Sequence, residues 1–332
     1  MHKNKSSDEG KSPTMQTALF MHGILGSKRN WRTPAKLLTQ HASNIKVVAV
    51  DHRGHGESHG MPDENTLQSC ASDISSLLSR ELSSGQKLDL LCGHSFGGKV
   101  ALKYLQQLYD HPSRPTLPKT TWVLDCLPGC FDGFSNISSG AERDKLNREQ
   151  NNVTNPSSND KEISVGGIFD ILSNMPRHFE RPEHAQKMLT DKGISLPIAQ
   201  WLTSECRSTN VNGKHTYELG FNLQVTTELF ADFCKTDMWG FLERFDGTSR
   251  GPDGAHASIH FVRAGKNPLW TKGQVLERFA QLQHASKNGV MVHTMVSDIM
   301  FFIFLGNNYR KHFSVDIANP NSNPNLLLLF LS

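Results

Sequence analysis

The pentapeptide GHSFG at residues 93–97 constrains the fold of this chain more than any other feature of its sequence. It follows an apolar run typical of a strand, residues 88–92, and precedes a segment whose apolar side chains recur at helical spacing, residues 100–108. In this context G-x-S-x-G indicates a sharp turn from a strand into a helix. Glycine is needed at both ends of the motif, because a larger side chain would clash in the strained backbone of the turn.

The serine of this motif, Ser95, is the candidate nucleophile. The predicted turn holds its hydroxyl at the C-terminal edge of a sheet and at the N-terminus of a helix, where free N–H groups and the helix dipole favour negative charge. The N–H of Phe96 is therefore the first candidate donor to an oxyanion. The alternative is a glycine-rich turn between a strand and a helix that has no chemical role.

A second loop of small residues is expected to face the serine. Residues 17–24 form an apolar run typical of a strand, and it leads into the sequence HGILGS, which starts at residue 22. Because acyl-transfer intermediates need about two donors roughly 3 Å from the oxyanion, the main-chain N–H of Ile24 is the second candidate donor. We interpret His22 as a structural hydrogen-bonding residue rather than as a base.

Three histidines follow the next apolar run, residues 45–50. They are His52, His55 and His59. No carboxylate or cysteine completes a metal site of known spacing around them. We therefore interpret the segment as a solvated loop and predict no metal site.

Strand-like runs and helical patterns alternate along the chain, which predicts an α/β protein with a mostly parallel central sheet flanked by helices. Residues 120–127 form the run that follows the helix after Ser95, and Asp125 lies at its C-terminal end. In parallel α/β sheets, catalytic groups gather at this edge. Asp125 either orients a catalytic histidine or caps the turn before Pro128, and the residues alone leave both interpretations open.

Residues 130–254 interrupt the alternation. Residues 135–160 are rich in serine, asparagine and glycine, which predicts a mobile loop. The remainder carries helical patterns with many aromatic residues, which predicts a helical insertion. The insertion either covers Ser95 as a lid or forms ordinary core packing. The predicted core of the protein then consists of residues 17–129 and 255–295.

The composition argues against several other classes of protein. The chain has 332 residues, of which 37% are hydrophobic, and a formal net charge of +3. Its lysines and arginines are scattered, and no aromatic residues are interleaved with them, so nucleic-acid binding is not expected. The six cysteines lack metal-ligand spacing, which favours a reducing compartment.

The two ends of the chain differ from the predicted core. Residues 1–16 are polar and lack the apolar segment of a secretory signal, which predicts a disordered tail and a cytoplasmic protein. A mitochondrial or chloroplast location is the alternative if the N-terminus is incomplete. Residues 296–332 form an atypical tail, in which neither apolar run reaches the roughly 18 residues that a membrane helix needs.

Six segments in this order resemble a known family: HGILGSKRNW, VDHRGHGES, GHSFGGKVAL, WVLDCLPG, FNL and MWGFLE. They are similar to the small esterases grouped as α/β-hydrolase domain-containing protein 11, especially the plant-type members, and the resemblance covers residues 18–295. It implies the α/β-hydrolase fold with a helical lid and a serine hydrolase that acts on esters or thioesters of small acyl substrates without a cofactor. The family nucleophile corresponds to Ser95, and the acid of the bacterial relatives corresponds to Asp125.

The sequence departs from the family at three places. Asn267 stands where some relatives have an aspartate, Gln224 replaces the aspartate of a lid segment N-L-D, and no histidine lies near residues 299–301, where the family has Gly-His-Trp. His293 and His312 are the remaining candidates for the base. A second hypothesis follows: the chain is a catalytically impaired hydrolase-fold protein that binds a small ligand or serves as a scaffold.

The closing helix of the family is also unrecognisable after residue 295. Since this helix would cover one face of the sheet, we expect apolar side chains on that face to be exposed and the chain to be marginally stable. The sequence does not predict the oligomeric state.

Overall fold

The computed structural model describes residues 15–60, 64–130, 163–247, 250–265, 267–271, 274–285, 289–295 and 315–316. These residues contain a seven-stranded sheet and a separate two-stranded hairpin. The strands are β1 (Gln16–Met21), β2 (Ile45–Val50), β3 (Leu90–His94), β4 (Thr120–Leu124), β5 (Arg207–Val211), β6 (Lys214–Glu218), β7 (Ser258–Ala264), β8 (Val290–Met295) and β9 (Val315–Asp316).

Helices connect most of these strands. Short 3-10 helices are found at Lys28–Trp31, Pro252–Gly254 and Pro268–Thr271. The α-helices of the described residues are α1 (Arg32–His41), α2 (Leu67–Glu81), α3 (Phe96–Asp110), α4 (Val165–Ser173), α5 (Pro182–Asp191), α6 (Leu196–Thr203), α7 (Leu223–Lys235), α8 (Trp239–Arg244) and α9 (Val275–Ala285).

The large sheet has the strand order β2-β1-β3-β4-β7-β8-β9. Neighbours from β2 to β8 are parallel, and the two-residue β9 is antiparallel to β8. The predicted α/β class with a mostly parallel sheet is therefore confirmed. Because β3 and β4 are parallel neighbours, Ser95 and Asp125, which directly follow them, lie at the same edge of the sheet.

Side chains that alternate along the strands divide the core between the two faces of the sheet. Leu19 and Met21 of β1 belong to the larger apolar cluster, which includes α2, α3 and α9. Phe20 belongs to the smaller cluster, together with Trp31 and Leu38 from the α1 side. Both faces of β1 are buried, which explains why its residues 18–21 are all apolar rather than alternately polar.

The expected exposed apolar face is not found in the described part of the sheet. Trp122 of β4 is 3% exposed. Its ring stacks on His260 of β7 and His293 of β8, with centroids 4.4 and 5.5 Å away. The two buried imidazoles share a 3.0 Å hydrogen bond between His260 Nδ1 and His293 Nε2. Two imidazole rings thus cover this tryptophan. The pattern of apolar residues in the sequence does not predict this packing.

The insertion between β4 and β7 contains α4 to α8, but it also contains the hairpin β5–β6, which we did not predict. The hairpin turns at Asn212 and Gly213, whose φ angles are 52° and 79°. A two-residue turn of this kind needs positive φ at both positions, and Asn-Gly is its commonest sequence. One of the helical patterns in the insertion runs over residues 225–243, and the structure divides it between two helices, α7 and α8.

Aromatic side chains join the insertion to the helix that follows Ser95. Phe169 of α4 stacks on Phe230 of α7 with centroids 5.0 Å apart, and Phe230 stacks on Phe233 at 6.1 Å. The ring of Phe233 lies 5.9 Å from that of Phe96, the first residue of α3. At least this part of the insertion is core packing, and the division of the chain into a core and a lid stays a prediction.

Several predicted segments lie outside the described residues. They are residues 1–14 of the predicted disordered tail, the predicted mobile loop at residues 135–160 and most of the atypical tail at 296–332. Within that tail the structure describes Val315–Asp316, which pairs with the end of β8. Every helix in the described part of the chain is too short or too polar to cross a membrane.

Candidate active site

Ser95 lies at the turn between β3 and α3, where the sequence motif predicts it. Its backbone angles, φ 50° and ψ −115°, fall outside the regions that L-residues normally occupy. A conformation of this kind costs on the order of 1–3 kcal/mol and persists only where the surrounding structure enforces it. The Ser95 N–H donates to the Leu124 carbonyl at 2.8 Å, which ties the turn to the end of β4. The residue is only partly buried.

The two glycines of the motif are required by close backbone contacts. A Cβ atom on Gly93 would collide with the backbone of Gly97 and Gly98. A Cβ atom on Gly97 would lie 2.5 Å from the carbonyl oxygen of Met21 and 2.6 Å from that of His22. The requirement for glycine at both positions was predicted from the sequence, whereas the direct packing of the turn on the end of β1 was not.

Gly97→Ala is expected to destabilise the fold by about 1–3 kcal/mol, because the new methyl group meets fixed backbone atoms rather than a movable side chain. Gly240→Ala is the matched control, since a Cβ atom at this helical position meets nothing within 4 Å. Thermal unfolding of both variants checks the prediction. Equal melting temperatures for the two variants would contradict the close packing of the turn on β1.

The loop after β1 lies beside the candidate nucleophile. A Cβ atom on Gly23 would be 3.5 Å from the Ser95 Cβ and 3.0 Å from His94 Nδ1. Among the described residues, neither the Ile24 N–H nor the Phe96 N–H has a hydrogen-bond acceptor. We call the turn between β3 and α3, which carries Ser95 and Phe96, the elbow. Two available main-chain donors, one from the loop after β1 and one from the elbow, are what an oxyanion site needs.

His22, His52 and His55 form a cluster of buried rings behind this loop. Their ring centroids are 4.6 Å apart for His22 and His52 and 5.0 Å apart for His22 and His55. The solvated-loop interpretation is therefore wrong for His52 and His55 and holds for His59, which is exposed. Burial depends on the chain packing over the loop, so the local sequence does not reveal it.

The ring nitrogens of His22 and His55 have backbone partners. His22 Nδ1 donates to the Gly23 carbonyl at 2.8 Å, and His22 Nε2 accepts from the His52 N–H at 3.1 Å. His55 Nε2 accepts from the Leu25 N–H at 3.0 Å. These contacts match the predicted structural role of His22. In the described part of the chain, no group of three or more potential ligands is arranged to hold a metal ion.

Burial keeps these rings neutral. It lowers the pKa of His22 from 6.5 to about 4 and the pKa of His55 from 6.5 to about 3. It also lowers the pKa of His52 well below its usual value, and the neighbouring rings add to the effect. Burial likewise lowers the pKa of His260 to about 3. Each ring stays uncharged at neutral pH, and for His22 and His55 this agrees with the Nε2 atom of each, which accepts from a backbone N–H.

Acidification is therefore expected to destabilise the protein. Above about pH 7.5 these histidines are nearly all neutral in both the folded and the unfolded chain, so they add little pH dependence. Between pH 6.5 and about pH 4 the unfolded chain binds protons that the folded chain excludes, and each fully buried ring such as His22 lowers the free energy of unfolding by about 2 kcal/mol at pH 5. Thermal unfolding from pH 8 to pH 5 tests this, with the exposed-site variant His59→Gln as control. A melting temperature that rises on acidification would contradict it.

Asp125 lies one residue after β4, with a φ of 45°. Its Oδ1 accepts hydrogen bonds from Trp270 Nε1 at 2.8 Å and the Ala264 N–H at 3.2 Å, and its Oδ2 accepts from Asn267 Nδ2 at 2.9 Å. Ala264 is the last residue of β7, and Asn267 and Trp270 follow it. The carboxylate therefore bonds to the end of β7 and does not cap the turn before Pro128. A carboxylate has about four acceptor positions, which leaves one, on Oδ2, for a further donor.

Asp125 is the predicted acid, and Asn267 stands where some relatives have an aspartate. The structure places them in direct contact, because β4 and β7 are parallel neighbours whose ends lie side by side. Trp270 was not predicted as part of this cluster. Its contact with Asp125 can be inferred only once the strand order is known, because the two residues are 145 positions apart in the sequence.

The structure does not bring His293 to Ser95. His293 of β8 pairs in register with Val262 of β7, which pairs with Leu124 of β4. Leu124 in turn pairs with His94 of β3, the residue before Ser95, so three strand spacings separate His293 from the elbow. At about 4.8 Å for each spacing, this distance is roughly 14 Å. His312 lies outside the described residues. Among the described residues, no histidine hydrogen-bonds with the Ser95 hydroxyl or with Asp125.

Lys99 of α3 was missed by the sequence analysis. Its side chain is fully buried, and Nζ donates to the carbonyls of Gly129, Phe233 and Thr236 at 2.9, 2.9 and 3.1 Å. It also lies over the ring of Phe233, 4.3 Å from the centroid. Because an ammonium group has three donor hydrogens, these bonds satisfy it. Lys99 thus ties the elbow helix to the loop after Asp125 and to the C-terminus of α7.

Known proteins are similar to this chain over these same regions. The family model described as alpha/beta hydrolase fold matches residues 18–114. The sn-1-specific diacylglycerol lipase ABHD11 of Danio rerio is 36% identical over 119 residues, which are 36% of this chain and 34% of that protein. The matched part is thus about a third of that relative's length. A Haemophilus influenzae protein named as an esterase/lipase is 30% identical over 274 residues, 82% of this chain and 75% of that protein.

Solved structures show the same fold. A structure of carboxylesterases from the thaumarchaeon Nitrososphaera gargenis has a TM-score of 0.52 and 14% identity, and it covers 87% of this chain and 85% of that chain. At this identity the likeness concerns the fold alone. The similarity to a lipase and to an esterase/lipase supports hydrolase activity of a general kind.

Proposed function

This chain belongs to the α/β-hydrolase fold family, and from that premise we propose that it is a serine hydrolase that cleaves carboxylic esters or thioesters of small acyl substrates. The observation that supports the proposal most is the backbone of Ser95, which is held at φ 50° on the turn between β3 and α3. Backbone strain of this kind is concentrated at functional sites, and here it occurs in a partly exposed serine beside two available N–H donors.

In the proposed reaction, the Ser95 hydroxyl attacks the acyl carbon of the substrate and loses its proton to a base. The N–H groups of Phe96 and Ile24 stabilise the negative charge that develops on the carbonyl oxygen. The leaving alcohol or thiol takes up a proton, and water then attacks the acyl-enzyme to release the acid. None of these steps needs a cofactor.

Asp125 is proposed to orient the base. Its Oδ2 has one acceptor position left after Asn267 donates to it, and an imidazole N–H fits that position chemically. The donors Trp270 and Ala264 fix the carboxylate through Oδ1. A carboxylate that is held in this way would keep the imidazole in the tautomer that accepts the serine proton.

A second candidate function is a hydrolase-fold protein that binds a small ligand or serves as a scaffold without turnover. The observation that favours it is the lack of a histidine bonded to Ser95 or Asp125 within the described residues. Without a base, the oxyanion site and substrate binding alone accelerate hydrolysis by about 10³ to 10⁴ over water.

Hydrolysis of p-nitrophenyl acetate, butyrate and decanoate and of a short acyl thioester tests the proposal. We expect turnover above background, fastest with the short acyl chains. The Ser95→Ala variant gives the rate of hydrolysis that the protein supports without this hydroxyl. Turnover that is equal in the wild type and in Ser95→Ala would exclude catalysis by this serine and favour the second candidate.

A chain with an altered C-terminus separates the two candidates further. In this variant the residues after 295 are replaced by a family-type Gly-His-Trp segment and helix. If the unaltered chain lacks a base, the variant hydrolyses esters much faster than the unaltered chain. Equal rates, both well above that of Ser95→Ala, would show that a histidine of the unaltered chain reaches Ser95.

A further inference from the structure

The side chain of His55 contacts the loop that carries one of the candidate oxyanion donors. The ring is completely buried. Its Nε2 accepts a hydrogen bond from the Leu25 N–H at 3.0 Å, and its Nδ1 lies 2.9 Å from the Arg53 carbonyl oxygen. His55 is 30 residues from Leu25 in sequence, so it fixes this loop from a separate segment of the chain.

These two contacts determine the state of the ring. A backbone N–H can only donate, so Nε2 must be unprotonated to accept from Leu25. A carbonyl can only accept, so the proton must be on Nδ1, which donates to Arg53. The ring is therefore a neutral imidazole with one defined tautomer, and neither nitrogen is left to act as a base. Its role must be exerted through Leu25.

Leu25 needs such support. Its φ angle is 63°, which is uncommon for a residue with a side chain and costs on the order of 1–3 kcal/mol. Its side chain is 4% exposed and belongs to the larger apolar cluster. The strained residue thus directly follows Ile24, and its conformation sets the direction in which the chain leaves Ile24.

The peptide group before Ile24 is also held. Its carbonyl, on Gly23, accepts hydrogen bonds from His22 Nδ1 at 2.8 Å and from the Gly26 N–H at 3.1 Å. In a trans peptide the C=O and N–H point in opposite directions, so these bonds direct the Ile24 N–H away from His22. His55 holds the next peptide group, and the two together leave Ile24 little freedom to rotate.

We propose that His55 is a positioning residue of the oxyanion site: its neutral ring accepts from the Leu25 N–H, holds Leu25 in its strained conformation and thereby keeps the Ile24 N–H directed at the developing oxyanion. This inference rests on the proposed hydrolase function. It assigns a role to a histidine that the sequence analysis placed in a solvated loop.

Two substitutions at this position separate the hydrogen bond from mere packing. His55→Leu fills part of the space but removes the acceptor, whereas His55→Gln places an amide oxygen near the position of Nε2 and keeps it. Loss of one oxyanion donor lowers kcat by about 10²- to 10³-fold, so we expect His55→Leu to lower kcat at least about tenfold with KM changed by less than about threefold. His55→Gln is expected to recover most of the loss.

Two controls accompany these variants. His59→Gln changes an exposed histidine of the same segment and should leave kcat unaltered. Leu38→Ala destabilises the opposite face of the sheet, where Leu38 is 1% exposed, and should lower the melting temperature without lowering kcat. A general loss of stability would affect Leu38→Ala and His55→Leu alike.

Amide hydrogen exchange of Gly26 provides a readout that does not depend on turnover. The Gly26 N–H bonds to the Gly23 carbonyl rather than to His55, so its exchange reports the geometry of the loop beyond the His55 hydrogen bond. We expect exchange at least about tenfold faster in His55→Leu, with values in His55→Gln and His59→Gln close to that of the wild type.

The outcomes separate this inference from the proposed function. If the wild type hydrolyses esters, a folded His55→Leu with kcat within about threefold of the wild type overturns the inference. If the wild type is inactive, the proposed function fails, and the exchange rate of the Gly26 amide tests the positioning role instead. An unaltered rate in His55→Leu overturns that role. A faster rate in His55→Leu that returns to the wild-type value in His55→Gln supports it. If His55→Leu does not fold, His55→Gln decides instead, because a kcat as low as that of Ser95→Ala would contradict the acceptor role.

Discussion

Replacing Ser95 with alanine is expected to lower the hydrolysis of p-nitrophenyl butyrate by about 10⁴-fold or more. The other members of a catalytic triad contribute little once the nucleophile is gone, so the loss is nearly that of the whole triad. The protein should still fold, because the Ser95 hydroxyl makes no hydrogen bond within the described residues and alanine adds no atom to the turn.

The control for this substitution is Ser204→Ala. Ser204 is an exposed serine in the insertion, and its hydroxyl donates to the Trp201 carbonyl at 2.7 Å. We expect wild-type kinetics from Ser204→Ala. If Ser95→Ala retained the wild-type rate and melting temperature, the reaction would not use the elbow serine.

Asp125→Asn is expected to lower turnover by about 10³- to 10⁴-fold, because the base would no longer be held in the correct tautomer. An amide at 125 can keep the bonds from Ala264 and Trp270 through its oxygen, but its NH₂ group then faces the NH₂ group of Asn267. Some loss of stability is therefore expected together with the kinetic effect. Kinetic constants and a melting curve for the same preparation are the measurements.

The double variant Asp125→Asn/Asn267→Asp distinguishes a structural role of Asp125 from a catalytic one. It exchanges the two groups and restores a hydrogen bond between them with donor and acceptor reversed. We expect the melting temperature to recover but not the turnover, because the charge has moved. Recovery of both would show that position 267 can supply the acid. Unchanged kinetics in the single variant Asp125→Asn would show that another residue serves as the acid.

The features that the sequence predicted well are local ones. The motif around Ser95 needs only the small residues of one turn and the patterns of the strand and helix next to it, and the structure shows that turn. The parallel strands were predicted because both of their faces are buried, which makes their sequences continuously apolar. For such elements, burial can be read from the segment itself.

The features that were missed depend on which segments meet in the fold. His52 and His55 look like surface residues in sequence, but both are buried. They bond to His22 and Leu25 at the loop after β1, and the backbone of His55 pairs with Phe221 of the insertion. The contacts of Asp125 with Asn267 and Trp270 join residues more than 140 positions apart. Lys99 was missed because a lysine in a helix is normally solvated, and its three carbonyl partners come from two other segments.

The hairpin β5–β6 is a different kind of omission. Its turn has the sequence Asn212-Gly213, with positive φ at both residues, which is a local signal for a two-residue hairpin. The surrounding helical patterns led us to predict a wholly helical insertion. Here the information was present in the sequence, and the turn chemistry should have outweighed the context.

Labelling with a fluorophosphonate probe tests the central claim most directly, because the probe reacts only with an activated serine. The folded chain is incubated with the probe, digested and analysed by tandem mass spectrometry to locate the adduct. Our account predicts an adduct on Ser95 that is lost in Ser95→Ala and after heat denaturation, and that is strongly reduced in Asp125→Asn. A folded chain that is not labelled, or that carries the adduct on another residue, would contradict the assignment of Ser95 as the nucleophile of a serine hydrolase.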